Sequence, residues 1–206
     1  MNGKAASFGQ ARWRRDAAIA TIAAAMGLLA VGVVLVLRQD PLKEPLALDP
    51  ASGWTEIAWP LSPTPWWPSK AFVCKETACG GEMTLYLRVK VGFCNCAEGI
   101  ADDAELERIG DFADLSRRQE PLADGKAIVL AGLRGRSRPY RLQVLGTSGR
   151  SVGSVVTGLN SGCDAVVATG VRQLDGREDT ATAAAAISGF LESASVRRWT
   201  RNALGL

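Results

Sequence analysis

The residues from Ala17 to Leu37 form one apolar run of 21 residues without a charged side chain. A helix of this length spans roughly 30 Å, which matches the hydrocarbon thickness of a bilayer. Arg14 and Arg15 precede the run, and Arg38 follows it. The run therefore predicts a transmembrane helix, and it constrains the compartment and redox state of everything after it.

A cleaved signal peptide is the main alternative to an uncleaved anchor. Its apolar core usually has about 7–15 residues and ends at a small-x-small cleavage site. Here the run is longer, it stays bulky through Val31–Leu37 (VGVVLVL), and no Ala-x-Ala follows it directly. An uncleaved anchor is the favoured interpretation, and the cleaved signal stays open.

The flanking charges predict the orientation of the anchor. Because cytoplasmic flanks carry an excess of cations, the N-terminus is predicted to be cytoplasmic and the C-terminal body to lie outside. Arg outnumbers Lys and Ala is abundant, which suggests a high-GC bacterial genome and makes the outer compartment a periplasm. Four cations precede the run and two follow it: Lys4, Arg12, Arg14 and Arg15, then Arg38 and Lys43, which Asp40 and Glu44 offset.

The net positive charge of the chain lies entirely in the residues before and within the apolar run. The chain has 24 cations and 21 anions, a net charge of +3. Residues 1–37 hold four cations and one anion, so residues 38–206 hold 20 of each. A neutral body gives no support for a nucleic-acid partner, because such partners are met by clustered positive charge.

Proline divides the rest of the chain. Seven of the nine prolines lie between Pro41 and Pro68, where they disfavour helix and central strand. Four tryptophans, Trp54, Trp59, Trp66 and Trp67, cluster where this stretch meets the body, and they are predicted either to contact a partner or membrane interface or to pack on the domain's own sheet. The predicted organisation is a cytoplasmic tail (1–16), an anchor (17–37), a Pro/Trp-rich stalk leading into the domain (38–69) and a disulfide-braced periplasmic domain (70–206).

Residue periodicity in the body predicts an α+β fold. Met83–Phe93 alternates apolar and polar residues, so it is predicted to be a half-buried strand with Arg88 and Lys90 on the wet face. We expect an antiparallel sheet of about five or six strands, with a short helix and a C-terminal helix packed on one face. The other predicted elements are strands at 54–59, 126–133, 140–145, 152–157 and 163–169, a hairpin turn at 133–139, and helices at 102–109 and 179–194.

All five cysteines follow the apolar run: Cys74, Cys79, Cys94, Cys96 and Cys163. In an oxidising compartment this predicts two disulfides and one remaining thiol. The favoured pairs are Cys74 with Cys79, and either Cys94 or Cys96 with Cys163. The spacing departs from zinc and ferredoxin patterns, so no metal site is predicted, although a Cys94-x-Cys96 pair is a weaker candidate for Cu(I) or thiol exchange.

The chain contains no histidine, which limits its chemistry. Ser–His and Cys–His nucleophiles, c-type haem attachment and histidine-ligated zinc are excluded. We therefore expect no enzyme activity and no cofactor. A cation site is not expected either, because a group of acids is better explained as an acid-rich helix start with its wet face: Asp102, Asp103, Glu105 and Glu107.

Four arginines lie close together in the sequence: Arg134, Arg136, Arg138 and Arg141. Three of them fall in the predicted hairpin turn, where their side chains would form one patch. Such a patch could bind a phosphate, a carboxylate or an acidic partner. A solvated turn without a ligand is the alternative.

These features predict a single-pass, membrane-anchored and periplasm-facing accessory or interaction protein of the bacterial inner membrane. Its expected partner is a larger membrane complex, in which it would be a non-catalytic subunit. The first alternative is a thiol-redox or Cu(I)-handling protein that uses Cys94 and Cys96. The second is a ligand-binding or sensor domain, supported by the arginine patch and weakened by the short tail before the anchor.

Overall fold

The structure is a computed structural model, and it describes residues 41–61, 67–75, 79, 81–93, 95–145, 150–173 and 180–206. The chain divides into two compact units, Met1–Glu44 and Pro45–Leu206. The predicted tail and the anchor at 17–37 lie outside the described residues. Within the part that is described, no helix has the length and apolar character needed to cross a bilayer. The predicted domain boundaries stay predictions.

The second unit contains an antiparallel sheet of eight described strands, which confirms the α+β class but exceeds the five or six strands that were predicted. The order across the sheet is β1-β2-β3-β8-β7-β6-β4, and β5 also pairs with β6. The strands are β1 (Trp54–Ile57), β2 (Ser69–Cys74), β3 (Met83–Lys90), β4 (Ser116–Pro121), β5 (Lys126–Leu130), β6 (Leu133–Val144), β7 (Ser151–Ser161) and β8 (Asp164–Gln173).

Four α-helices of the described chain accompany the sheet: α1 (Asp103–Ile109), α2 (Phe112–Leu115), α3 (Thr180–Glu192) and α4 (Ala194–Ala203). The Asp102 carboxylate caps α1 by accepting a hydrogen bond from the Glu105 amide at 2.8 Å. The helix predicted at 179–194 corresponds to α3. The second helix, α4, was not predicted, and Ser193, which has extended backbone angles, separates it from α3.

The sequence predicted that the short helix and the C-terminal helix pack on the same face of the sheet. In the structure they pack on opposite faces. A Cβ on Gly158 would meet Ile109 of α1 at 3.2 Å, whereas a Cβ on Gly170 would meet Ile187 of α3 at 2.4 Å. In the β7–β8 register, Gly158 and Gly170 point to opposite faces. Helices therefore cover both sides, and β7 is buried almost throughout.

Each face has its own core. On the α1–α2 side, Leu106, Ile109 and Phe112 belong to a cluster of buried side chains with Tyr140 and Val156. On the α3 side, the ring of Phe190 lies 4.8 Å from that of Phe72. A sheet with two dry faces needs apolar residues at successive positions, which weakens the alternation that predicts strands.

The hairpin turn predicted at 133–139 is wrong. Those residues lie inside β6, whose 12 residues pair with β7 on one side and with β5 and β4 on the other. The turn is instead at Ala131 and Gly132, which both have positive φ (55° and 76°) between the paired residues Leu130 and Leu133. Positive φ at both central positions is typical of a two-residue type I′ hairpin.

Candidate functional site

Two disulfides brace the sheet, and they match the pairs that the cysteine spacing favoured. Cys74 at the end of β2 is bonded to Cys79, five residues later. Cys96 is bonded to Cys163, 67 residues later, in the turn between β7 and β8. Cys94 lies outside the described residues. The second bond uses Cys96, so a Cys94–Cys96 dithiol is not available in this oxidised state.

Two of the four predicted patch arginines bind the acids of α1. Arg136 donates from Nε to Asp103 Oδ1, and Arg138 Nε lies 3.3 Å from Asp103 Oδ2. Arg138 also donates from Nη1 to Glu107 Oε1 at 2.7 Å. We call Asp103, Arg136 and Arg138 the arginine clamp, because together they join β6 to α1.

The clamp also fixes the segment 122–125, where the edge of the sheet passes from β4 to β5. The Gly125 amide donates to Asp103 Oδ2 at 3.0 Å, and its carbonyl accepts from Arg136 Nη2 at 2.9 Å. Arg138 Nε donates to the Ala123 carbonyl at 2.9 Å. These arginines satisfy backbone groups and carboxylates of their own domain, which leaves little of them to present to a partner.

The remaining two arginines do not complete a patch. Arg134 is exposed, and Arg141 forms a 3.2 Å ion pair with Glu120 on β4. Because β6 pairs with β7 in an unbroken register, Arg134 shares a face with the clamp arginines, and Arg141 points to the opposite one. The predicted binding patch is therefore not a continuous surface.

Electrostatics around the clamp follow from these contacts. Burial acts to raise the pKa of Asp103, but the Gly125 hydrogen bond and the two clamp arginines outweigh it, so this pKa lies below its ordinary value. Burial and the nearby Glu107 charge raise the pKa of Tyr140 to about 12. At neutral pH the clamp is thus an ionised carboxylate between two guanidiniums, beside a neutral phenol.

The described tryptophans contact their own domain. Trp54 is buried, with its ring 4.6 Å from that of Phe190. Trp59 lies with its ring 5.9 Å from that of Tyr86, and Trp67 lies 4.7 Å from Phe93. Trp59 and Trp67 are half-buried, so they pack on the sheet and still keep some surface, while Trp66 lies outside the described residues.

Two cations of β3 are buried instead of wet. Arg88 and Lys90 are only 3% and 6% exposed. The Asp111 carboxylate between α1 and α2 accepts from Arg88 Nη1 at 2.9 Å and lies 2.8 Å from Lys90 Nζ. Asp114 accepts from Arg88 Nη1 at 2.7 Å. Alternation correctly predicted that Arg88 and Lys90 share one face of β3. It did not predict that this face is covered, because the acids that cover it are more than 20 residues away in the sequence.

One edge of the Arg88 guanidinium is unused. Nε and Nη2 are buried and have no hydrogen-bond partner within the described part of the chain. The Trp59 ring centroid lies 4.9 Å from the guanidinium carbon, and the buried Trp59 Nε1 is also without a partner there. Nε and Nη2 form the side edge of the fork, which matches the two oxygens of a carboxylate or phosphate.

A second group of arginines lies on α4. Arg197, Arg198 and Arg201 are all exposed. Across the described residues, none of the three has an ion-pair partner. We call them the α4 arginine face. The opposite side of α4 is fixed in the core by Val196 and Trp199.

No cluster of three or more His, Cys, Asp or Glu side chains in the described ranges is arranged to hold a metal ion. No family model matches the chain, and no curated protein sequence is similar to it. One similar solved structure is that of LpqN, described as involved in cell envelope biogenesis of Mycobacterium tuberculosis. It is 17% identical, with a TM-score of 0.41, over 70% of this chain and 79% of that one. At this TM-score the likeness carries no argument about function.

Proposed function

We propose that this chain is a single-pass protein of the bacterial inner membrane whose disulfide-braced domain faces the periplasm. In this role it is a non-catalytic accessory subunit or assembly partner of a larger membrane complex. The observation that carries the proposal is the pair of disulfides, Cys74–Cys79 and Cys96–Cys163, in the part of the chain that follows the apolar run. Structural disulfides persist in oxidising compartments such as the periplasm.

The roles of the charged residues support an interaction protein over a catalyst. The clamp arginines bind Asp103 and Glu107, and the β3 cations bind Asp111 and Asp114. Charges that could serve chemistry are therefore used to join helices to the sheet. A thiol-redox or Cu(I) role is weakened for a similar reason, because Cys96 is bonded to Cys163.

Co-purification from native membranes tests the proposal. The full chain with a C-terminal affinity tag should remain in the membrane after a carbonate wash and, in mild detergent, bring down a reproducible set of larger membrane proteins. The matched control replaces residues 1–37 with a cleavable signal peptide, which keeps export and disulfide formation but removes the anchor. Reproducible isolation of the chain alone, or a chain with all five cysteines reduced, would contradict the proposal.

A ligand-binding role is the second candidate, and the unused edge of Arg88 is the observation that favours it. The ligand would be a carboxylate or phosphate, and its entry would displace the Trp59 ring that covers the guanidinium. The test is the Arg88 Hε NMR signal, assigned with Arg88→Lys, during titration with acetate or inorganic phosphate. A saturable downfield shift of this signal, with Arg136 Hε unmoved, supports the role. If the Arg88 signal does not move, the ligand-binding role is excluded.

A further inference from the structure

We infer that the α4 arginine face docks on the anionic phospholipid surface of the membrane that carries the predicted anchor. The inference rests on the proposed function, since it assumes that residues 17–37 hold the chain in that membrane. It adds the orientation of the domain and names a lipid headgroup phosphate as the group that Arg197, Arg198 and Arg201 recognise.

The charges of the α4 arginine face are accessible to a ligand. Arg197, Arg198 and Arg201 are exposed, and within the described chain no carboxylate pairs with any of them. The nearest preceding acid in the sequence, Glu192, accepts a 2.6 Å hydrogen bond from the Ala131 amide instead. Guanidiniums without an internal partner keep both edges of their forks for phosphate.

The helix that carries these charges is packed on the domain and capped at its end. On the inner side of α4, the helix buries Val196, Trp199 and Thr200. At the end of the helix, Gly205 has a φ of 70°. The Gly205 amide donates a hydrogen bond to the Asn202 carbonyl, and the Leu206 amide donates one to the Arg201 carbonyl at 2.9 Å. This pattern is a Schellman motif. Since the apolar side of α4 is already packed, the helix cannot embed in lipid, and its contact with the bilayer is electrostatic.

The net charge of the domain does not orient it. Residues 38–206 carry no net charge, so the domain as a whole is not drawn to the bilayer, and a local positive face decides which side meets it. Tethering makes weak contacts effective because it raises the local concentration of headgroups.

Photocrosslinking of the full chain tests the docking. The chain is reconstituted in nanodiscs of phosphatidylcholine alone or with phosphatidylglycerol. Asn202, exposed on α4, is replaced by p-benzoyl-phenylalanine, and Gln119, exposed on β4, gives the control position. We expect lipid adducts at Asn202 in anionic nanodiscs, few in neutral ones and few at Gln119. Raising NaCl from 50 to 500 mM should suppress the adducts, because the Debye length shortens several-fold.

The decisive variant is R197Q/R198Q/R201Q, matched by R117Q/R118Q/R134Q, which removes the same charge from exposed arginines on β4 and β6. Each α4 arginine should contribute roughly a fivefold factor, so the first triple variant lowers the docking equilibrium constant by roughly 100-fold. The second triple variant leaves it unchanged.

Three results would overturn the inference. Adducts at Asn202 that are equal in neutral and anionic nanodiscs, or that survive in R197Q/R198Q/R201Q, would exclude recognition of anionic lipid. Capture of an acidic protein at Asn202 in native membranes, in place of lipid, would assign the face to a protein partner. Loss of the chain from the nanodisc would refute the anchor and the docking together, whereas retention without Asn202 adducts refutes the docking alone.

Discussion

The arginine clamp and the α4 arginine face contain the same kind of side chain in opposite surroundings. Arg136 and Arg138 are partly buried, with side chains 19% and 13% exposed, and they bind carboxylates and carbonyls of their own domain. Arg197 and Arg198 are exposed and have no such partner in the described chain. The difference lies in the acids that the fold brings to each group, since Asp103 is 33 residues from Arg136 in the sequence.

The comparison shows how to distinguish arginines that hold a fold from arginines that meet a partner. A guanidinium that satisfies buried backbone and carboxylate groups leaves those groups unpaired when it is removed, which is costly. A solvated guanidinium leaves nothing unpaired. The two groups are therefore expected to differ sharply in folding stability.

The largest effect is expected for Asp103→Ala, which breaks the clamp at its centre. Arg136 and Arg138 would lose their common carboxylate, and the Gly125 amide would lose its acceptor. We expect a loss of about 2–3 kcal/mol in the free energy of unfolding. Urea unfolding of the full chain in detergent, followed by tryptophan fluorescence, measures it. The control Asp124→Ala removes an exposed acid from the same segment, and an equal loss there would show that the clamp adds no stability.

A smaller effect is expected when one arginine is exchanged in each group. Arg136→Gln removes hydrogen bonds to Asp103 and to the Gly125 carbonyl, so we expect it to cost about 1.5–2 kcal/mol. Arg198→Gln changes the same charge on an exposed surface and should stay within about 0.5 kcal/mol. Thermal and urea unfolding of the two variants side by side test the distinction. Equal losses would mean that both arginines hold the fold.

The elements that local sequence determines were predicted well. Alternation along β3 and the acid-rich start of the helix predicted at 102–109 depend on neighbouring residues, and the structure contains both the strand and the helix. Cysteine spacing favoured the two disulfides for a related reason, since a direct Cys94–Cys96 bond would close too short a loop.

The features that the sequence did not predict depend on distant residues. The α1–α2 layer over the sheet buries Arg88 and Lys90, and alternation alone cannot indicate that a polar face is covered. The segment 133–139 contains Gly, Ser, Pro and three arginines, which favour a turn, yet pairing of β6 with strands on both sides makes it a strand. Tertiary contacts override local propensity at such positions.

Acid titration would sharpen the comparison further, with an effect limited to one carboxylate. The pKa of Asp103 is lower in the folded than in the unfolded chain, so its contribution is present above the unfolded value of about 3.9 and is lost as the pH falls through the folded value. The difference in unfolding free energy between the native chain and Asp103→Asn should therefore be largest near neutral pH and shrink below about pH 4. Urea unfolding from pH 2.5 to 7 measures it, and a difference independent of pH would exclude the ion pair as its cause.

The smallest effect on folding is expected for R197Q/R198Q/R201Q. Arg201 lies in the last turn of α4, where a cation interacts favourably with the helix dipole, while Arg197 and Arg198 lie nearer its start and gain nothing from it. These contributions are each a few tenths of a kcal/mol, so the unfolding free energy should change by less than about 0.5 kcal/mol at either 50 or 500 mM NaCl. A loss comparable with that of Asp103→Ala would show that α4 has internal ion pairs, and its arginines would then belong with the clamp. An unchanged fold means that any loss of lipid contact in this variant reports on the surface of α4 and not on unfolding.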